Sequence, residues 1–227
     1  MTDGDASATE DPAERPAPYP PSPWHLAGDM YVSAWLVPVA DLPRWRLAPG
    51  VRPWVLGGRC TLLTFWVDYS EGSVLEYREL LVALTVRHGR GLAAAAVAVW
   101  VDDERSLAGG RALWGIPKEL GTFRFAHGGL EASEAGSFEG TLTPGGGRPV
   151  NVRYRDRFSL PGALPLRWRL VQRREGEPCV APYRLSGRAT VGHATLTAPT
   201  TGPLSFLHGR KPLASLALRD FTFRFGA

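Results

Sequence analysis

Proline and glycine interrupt this chain so often that long helices have little room to form. It carries 20 Pro and 26 Gly in 227 residues, and the stretches between them are short. Most of those stretches are rich in β-branched and aromatic residues. They predict strands over 29–37, 60–69, 79–87, 122–126, 150–155, 183–198 and 216–225. In the last of these, Phe221, Phe223 and Phe225 alternate with polar residues, so the three rings share one face. Residues 91–103 are ambiguous. Four successive alanines favour a helix, but the Val-Ala-Val-Trp-Val that follows favours a buried strand, and the strand is preferred. Residues 103–114 read as a short helix interrupted by glycine, and 143–149 as a hairpin loop. With no internal repeat and no alternation of strands with long helices, the pattern points to an antiparallel barrel or sandwich.

Residues 1–22 are acidic and then proline-rich. Such a segment buries too little apolar surface to offset its ordering entropy, so it reads as a disordered tail ahead of one domain over 23–227. It lacks the basic start and apolar stretch of a secretory signal. The longest apolar run, residues 92–101, is half the roughly 20 residues needed to span a bilayer. With only Cys60 and Cys179 there is no disulfide framework, and reduced thiols in a cytoplasmic protein are the simplest expectation. Without the tail, 25 basic and 17 acidic residues remain, a charge that suits anionic partners. The arginines are dispersed, however, and no run of five or more marks a nucleic-acid site. Residues 165–175 interleave Arg with Trp168. They read as a strand with Arg167 and Arg169 on its wet face rather than as a stacking platform.

Familiar chemical motifs are missing. There is no phosphate-binding G-x-x-x-x-G-K-[ST], no H-E-x-x-H and no G-x-S-x-G. The five histidines lack metal-ligand spacing. The glycine pairs 57–58 and 109–110 read as turns. What stands out is a lysine. Of 26 basic residues only Lys118 and Lys211 are Lys. Lys211 reads as surface charge. Lys118 lies in a glycine- and proline-rich stretch, "GGRALWGIPKELG", over 109–121. A Lys amine attacks a carbonyl to form a Schiff base, which then acts as an electron sink. The guanidinium of Arg stays protonated and cannot replace it. A chain that otherwise favours Arg is expected to keep Lys where nucleophilicity matters, although composition alone would more often make Lys118 a surface charge.

Gly110, Arg111, Gly115, Pro117 and Lys118 form a Gly-Arg pair followed by Gly-x-Pro-Lys. This resembles the signature of the acetoacetate decarboxylase family. Upstream, Tyr77 and Glu79 match the family's Tyr-x-Glu. The resemblance is carried by residues 60–125 and continues weakly at both ends. It implies a mainly β, closed antiparallel barrel with a few short helices. It nominates Lys118 as the Schiff-base nucleophile and Glu79 as a polar or acid/base group near the imine. Arg111 is expected either to bind an anionic substrate or to pair with a carboxylate such as Glu79. Tyr77, Trp114 and Glu119 are further pocket candidates. The implied reaction is that of a lyase on a small oxo acid, by decarboxylation or by aldol or dehydration chemistry, while related members of the superfamily imply aldol addition, dehydration or cyclisation of larger oxo acids. It needs no metal or organic cofactor, because the amine supplies the electron sink. A homo-oligomer is expected, with no membrane and no nucleic-acid partner.

The sequence departs from the family pattern twice. The decarboxylase has a second Lys after the reactive one, where this chain has Glu119. A carboxylate beside the amine would raise its pKa, so activation is expected to rest on burial among Trp114, Ile116 and Leu120; alternatively Glu119 points away or acts as an acid/base on the substrate. The decarboxylase also carries an Arg before its first strand, whereas residues 25–32 hold none. A barrel of the same fold that binds a small apolar or carbonyl ligand without turnover is therefore the alternative reading.

Overall fold

The computed structural model describes residues 19–128 and 136–226. Most of the expected tail, residues 1–18, lies outside them. The described residues form eleven strands and one α-helix: β1 Trp24–Pro38, β2 Val51–Pro53, β3 Val55–Leu56, β4 Arg59–Tyr69, β5 Tyr77–His88, β6 Gly91–Val101, α1 Glu104–Trp114, β7 Lys118–His127, β8 Ser137–Pro144, β9 Val150–Arg174, β10 Glu177–Thr197 and β11 Ala214–Phe225. The ambiguous alanine-rich segment is strand β6. No helix among the described residues is long and apolar enough to cross a membrane.

Pairing runs β4–β5–β6–β7–β8–β9–β10–β11–β1 and returns from β1 to β4, so the strands close into a ring. Every link is antiparallel except β6–β7, where Val99, Trp100 and Val101 run parallel to Lys118, Glu119 and Leu120. A parallel pair needs a crossover connection, and α1 supplies it. A second parallel contact, Ala94 with Leu170, joins β6 to β9 across the ring. The expected antiparallel arrangement is thus interrupted where the helix enters.

Strand alternation sorts the core into two clusters on opposite faces. On β5, Leu80, Val82, Leu84 and Val86 join Trp35, Trp66 and Phe138 in one cluster. Tyr77, with Met30, Val67, Val99 and Phe221, belongs to the other. Because both faces are covered, these strands read as nearly continuous apolar runs. Phe221, Phe223 and Phe225 share the second cluster, as their spacing requires.

The longest strand shows why local reading stops short. Residues 150–155 and 165–174 belong to one strand, β9, although Pro161 and Gly162 lie between them. Leu160, Pro161 and Gly162 bulge opposite Ala189 of β10. There β9 pairs with β10 alone, so the missing Pro amide costs no ladder bond. The wet-face reading of 165–175 is half right. Arg167 is exposed, but Arg169 donates to the carbonyls of His88 and Leu92, while Trp168 faces a cavity.

Candidate active site

The site is assembled where β6, α1 and β7 meet. Asp103 caps the helix, its carboxylate accepting the Ser106 amide at 2.7 Å. The helix ends at Gly115, which is left-handed at φ 69°. A Cβ there would collide with the Arg173 carbonyl oxygen, so conformation and space both demand glycine. The Gly115 amide donates to the Arg111 carbonyl at 2.9 Å, and the Ile116 amide to that of Gly110 at 3.1 Å. Pro117 carries the chain through a tight turn in which the Lys118 amide donates to the Ile116 carbonyl at 2.8 Å. Arg111 reaches back across this turn, its Nε donating to the Lys118 carbonyl at 2.8 Å. Gly110 completes the fit. A Cβ there would stand 2.7 Å from both Cδ and Cε of Lys118. The lysine stem therefore lies directly on the helix backbone. Gly109 and Gly110 are close-contact residues inside α1, not the turn expected for them.

Each residue of the Gly-Arg…Gly-x-Pro-Lys pattern thus has a mechanical part in presenting one amine. Lys118 is the first residue of β7, and only 3% of its surface is exposed. Its Nζ lies 2.8 Å from the Glu79 Oε2. It donates to Ser106 Oγ at 2.8 Å and to Tyr77 Oη at 3.3 Å. It also sits 4.9 Å from the centre of the Tyr77 ring, within cation–π range. Tyr77 and Glu79 are two apart on β5 and so project to the same side. Glu79, 4% exposed, also accepts from the Tyr69 hydroxyl at 3.4 Å. Tyr69 lies directly opposite Tyr77 on β4.

The electrostatics of this cluster differ from the expectation of an amine activated by burial. Burial is the largest single influence on Lys118 and pulls its pKa down. Glu79 and Tyr77 together outweigh it, and the amine ends above its ordinary value. Lys118 therefore rests as an ammonium paired with the Glu79 carboxylate. Burial pushes the Tyr77 phenol up to about 12 even though Lys118 pulls the other way. The Tyr69 phenol is driven well above its usual value by burial and by Glu79. Both phenols are neutral hydrogen-bonding groups at neutral pH.

The cluster opens into a cavity of about 440 Å³. Lys118, Glu79, Tyr77 and Trp114 all line it. Trp114 is packed edge-on between Trp24, at 5.0 Å, and Phe225, at 4.6 Å. The other two nominated residues lie elsewhere. Arg111 is exposed and spends its guanidinium on the Lys118 carbonyl. It neither lines the cavity nor meets Glu79. Glu119 follows Lys118 along the strand and so points to the opposite, exposed side. Leu120, expected beside the amine, is 44% exposed. Two residues at the amine had gone unnamed, Ser106 and Tyr69. A signal for Ser106 existed. It precedes Gly110 by four residues and so shares the helix face that Lys118 covers. Tyr69 could be found only from the β4–β5 register.

Among the described residues no three or more His, Cys, Asp or Glu side chains gather as metal ligands. Cys60 is buried in the core and Cys179 half-buried, both as free thiols.

The description "acetoacetate decarboxylase" belongs to the family model that matches residues 56–218. Among curated proteins no sequence relative is found. The fold is shared with solved structures of low sequence identity. The enduracididine biosynthesis enzyme MppR, with HEPES buffer bound, is 19% identical, with a TM-score of 0.63 over 92% of this chain and 87% of that one. An acetoacetate decarboxylase-like enzyme from Sphingomonas wittichii is 19% identical, with a TM-score of 0.62 over 90% and 91%. The acetoacetate decarboxylase of Legionella pneumophila is 17% identical, with a TM-score of 0.60 over 93% and 90%. The matched region holds the whole Tyr-x-Glu and Gly-x-Pro-Lys apparatus and spans well over half the sequence, and on that ground the chain belongs to the acetoacetate decarboxylase family.

Proposed function

We propose that the protein is a lysine-dependent lyase that joins Lys118 to a carbonyl substrate as a Schiff base. The observation that carries this reading is the buried Lys118 ammonium, 2.8 Å from Glu79 at the wall of an apolar cavity. A substrate filling the cavity completes the enclosure of this already buried pair. A proton then passes from Nζ to Glu79, leaving a neutral amine beside a carboxylic acid. The two charges vanish together, which a dry site favours. Nζ attacks the carbonyl carbon to give a carbinolamine. Glu79 returns its proton to the departing hydroxyl, which leaves as water. The product is a protonated imine with the Glu79 carboxylate as its counter-ion. Electrons from a bond β to the imine nitrogen then flow into the C=N bond, releasing carbon dioxide from a β-carboxylate, or an aldehyde as Glu79 takes the proton of a β-hydroxyl, and leaving an enamine. Protonation of the enamine carbon and hydrolysis free Lys118. In this reading Tyr77 and Ser106, which accept from Nζ, hold the amine in line, and the neutral Tyr77 phenol donates to the oxygen that leaves.

One related structure is described as MppR complexed with the condensation product of pyruvate and imidazole 4-carboxaldehyde. It supports aldol-type chemistry as well as decarboxylation as the class to test here. The resting ion pair favours a second reading, a non-catalytic barrel that binds a carbonyl ligand, since a protonated amine is no nucleophile. Borohydride trapping separates the two. Pyruvate, acetoacetate and larger oxo compounds are incubated with the protein, reduced, and located by peptide mass spectrometry. An adduct on Lys118 that is absent from Lys118→Arg is the expected result. No adduct from any carbonyl in a folded protein would overturn the lyase reading.

A further inference from the structure

The shape and charge of the cavity narrow the substrate. Glu79, Leu81, Ala83 and Thr85 of β5 all line it. At about 3.3 Å per residue this wall runs roughly 20 Å away from Lys118. Tyr69, Val67, Phe65 and Leu63 of β4 follow it in the opposite chain direction. The site is thus a slot with its reactive groups at one end. Its volume of about 440 Å³ falls within the roughly 300–1,000 Å³ of pockets that bury drug-sized ligands. A four-carbon oxo acid would leave most of it empty.

Among the described residues, Lys118 and Glu79 are the only charged ones that line the slot, and each is already the other's partner. The β1 wall contributes Trp24, Leu26, Met30 and Val32. Arg111, expected to meet a substrate carboxylate, lies outside. At the mouth Leu164, Leu166 and Trp168 of β9 remain 46%, 44% and 41% exposed, so an arriving molecule meets an apolar rim. A substrate charge far from Lys118 would lose its hydration and gain no partner, which is costly.

We infer that the substrate is a carbonyl compound with a long apolar substituent, and that any charge it carries sits beside the carbonyl at the Lys118–Glu79 end. This rests on the Schiff-base reading and deepens it. It replaces the expectation of a small oxo acid. Recognition comes from the apolar tail, which runs along β4 and β5, while the amine end does the chemistry. Each methylene buried is expected to tighten binding about fourfold.

The test is a homologous series in which the reacting group stays constant. Acetone, 2-butanone, 2-hexanone and 2-octanone are trapped with borohydride on Lys118, each over a range of concentrations. 5-Oxohexanoate serves as a chain of similar length with a remote carboxylate. The half-saturating concentration is expected to fall about fourfold per methylene through 2-hexanone, with 5-oxohexanoate no better than acetone. A flat series, or tighter trapping of 5-oxohexanoate, would overturn the inference while leaving the Schiff base intact. In parallel, 2-butanol, 2-hexanol and 2-octanol, which cannot form an imine, are titrated by tryptophan fluorescence. If nothing is trapped, the Schiff-base reading fails and these alcohols decide the slot alone. Affinity rising with chain length upholds it, and chain-length independence overturns it.

Discussion

Replacing Glu79 by Gln turns a buried ion pair into a lone buried ammonium while keeping the side-chain volume. Lys118 and Glu79 are 3% and 4% exposed and stand 2.8 Å apart, so solvent screens neither of them. Removing one partner of such a pair costs about 3–5 kcal/mol. The variant escapes part of that cost by losing the Lys118 proton, because burial on its own pulls the amine's pKa down. The sign of the pH dependence follows. In the native protein the folded pKa of Lys118 lies above the unfolded value of about 10.4. Its contribution is therefore complete below that value and is lost only as pH rises through the folded pKa. In Glu79→Gln burial, the largest single influence, is opposed by Tyr77 alone; the folded pKa is then expected to fall below the unfolded one, and the unfolded chain to bind more protons between the two. Stability of the variant then rises with pH, by up to about 1.4 kcal/mol per unit. Urea unfolding at pH 6, 7, 8 and 9 measures both effects as the difference from the native protein. The expected deficit is about 3–5 kcal/mol at the acid end, shrinking toward pH 9. A deficit below about 1 kcal/mol, of the size of an exposed pair, would refute the argument. So would a deficit that does not change with pH.

Three further substitutions test how the lysine is presented. Gly115→Ala forces a Cβ into the Arg173 carbonyl at a left-handed position and is expected to cost about 2–3 kcal/mol, read as a melting temperature lower by roughly 4–12 °C. Arg111→Ala removes the bond to the Lys118 carbonyl and should cost about 1–3 kcal/mol in urea unfolding. The half-saturating concentration of acetoacetate in the trapping assay should stay within about twofold, under 0.5 kcal/mol, because Arg111 stands outside the cavity; a large rise would restore it as a substrate ligand. Ser106→Ala strips an acceptor from a buried ammonium and should lower stability by about 1–3 kcal/mol, with slower adduct formation on Lys118 at saturating ketone.

The strand content was legible because Pro and Gly divide the chain finely and both faces of the long strands are apolar. Lys118 stood out because the chain otherwise avoids Lys. Glu79 and Tyr77 followed from their spacing of two on a strand that the family pattern marks. The failures share one physical origin, in that they concern which way a residue faces once distant segments pack. Arg111 sits one step round the helix from Gly110 and so turns away from the stem that Gly110 accommodates. Glu119 is placed outside by alternation from Lys118, a fact that needs β7 to begin at the lysine itself. Tyr69 and the β9 bulge depend on register between strands, which no local window contains. The glycine pair in α1 looks like a turn because its causes lie outside any local window: the Trp24 ring lies against Gly109, and the Lys118 stem lies on Gly110.

The most direct test of the central claim is oxygen exchange. Forming an imine expels the carbonyl oxygen as water, and hydrolysis replaces it with oxygen from the solvent. A ketone incubated with the protein in ¹⁸O-labelled water should therefore take up label faster than in buffer alone. Lys118→Met should abolish the effect, and Lys211→Arg should leave it intact. Exchange at the background rate with a ketone shown to bind, or equal exchange in Lys118→Met, would contradict the assignment of Lys118 as the nucleophile.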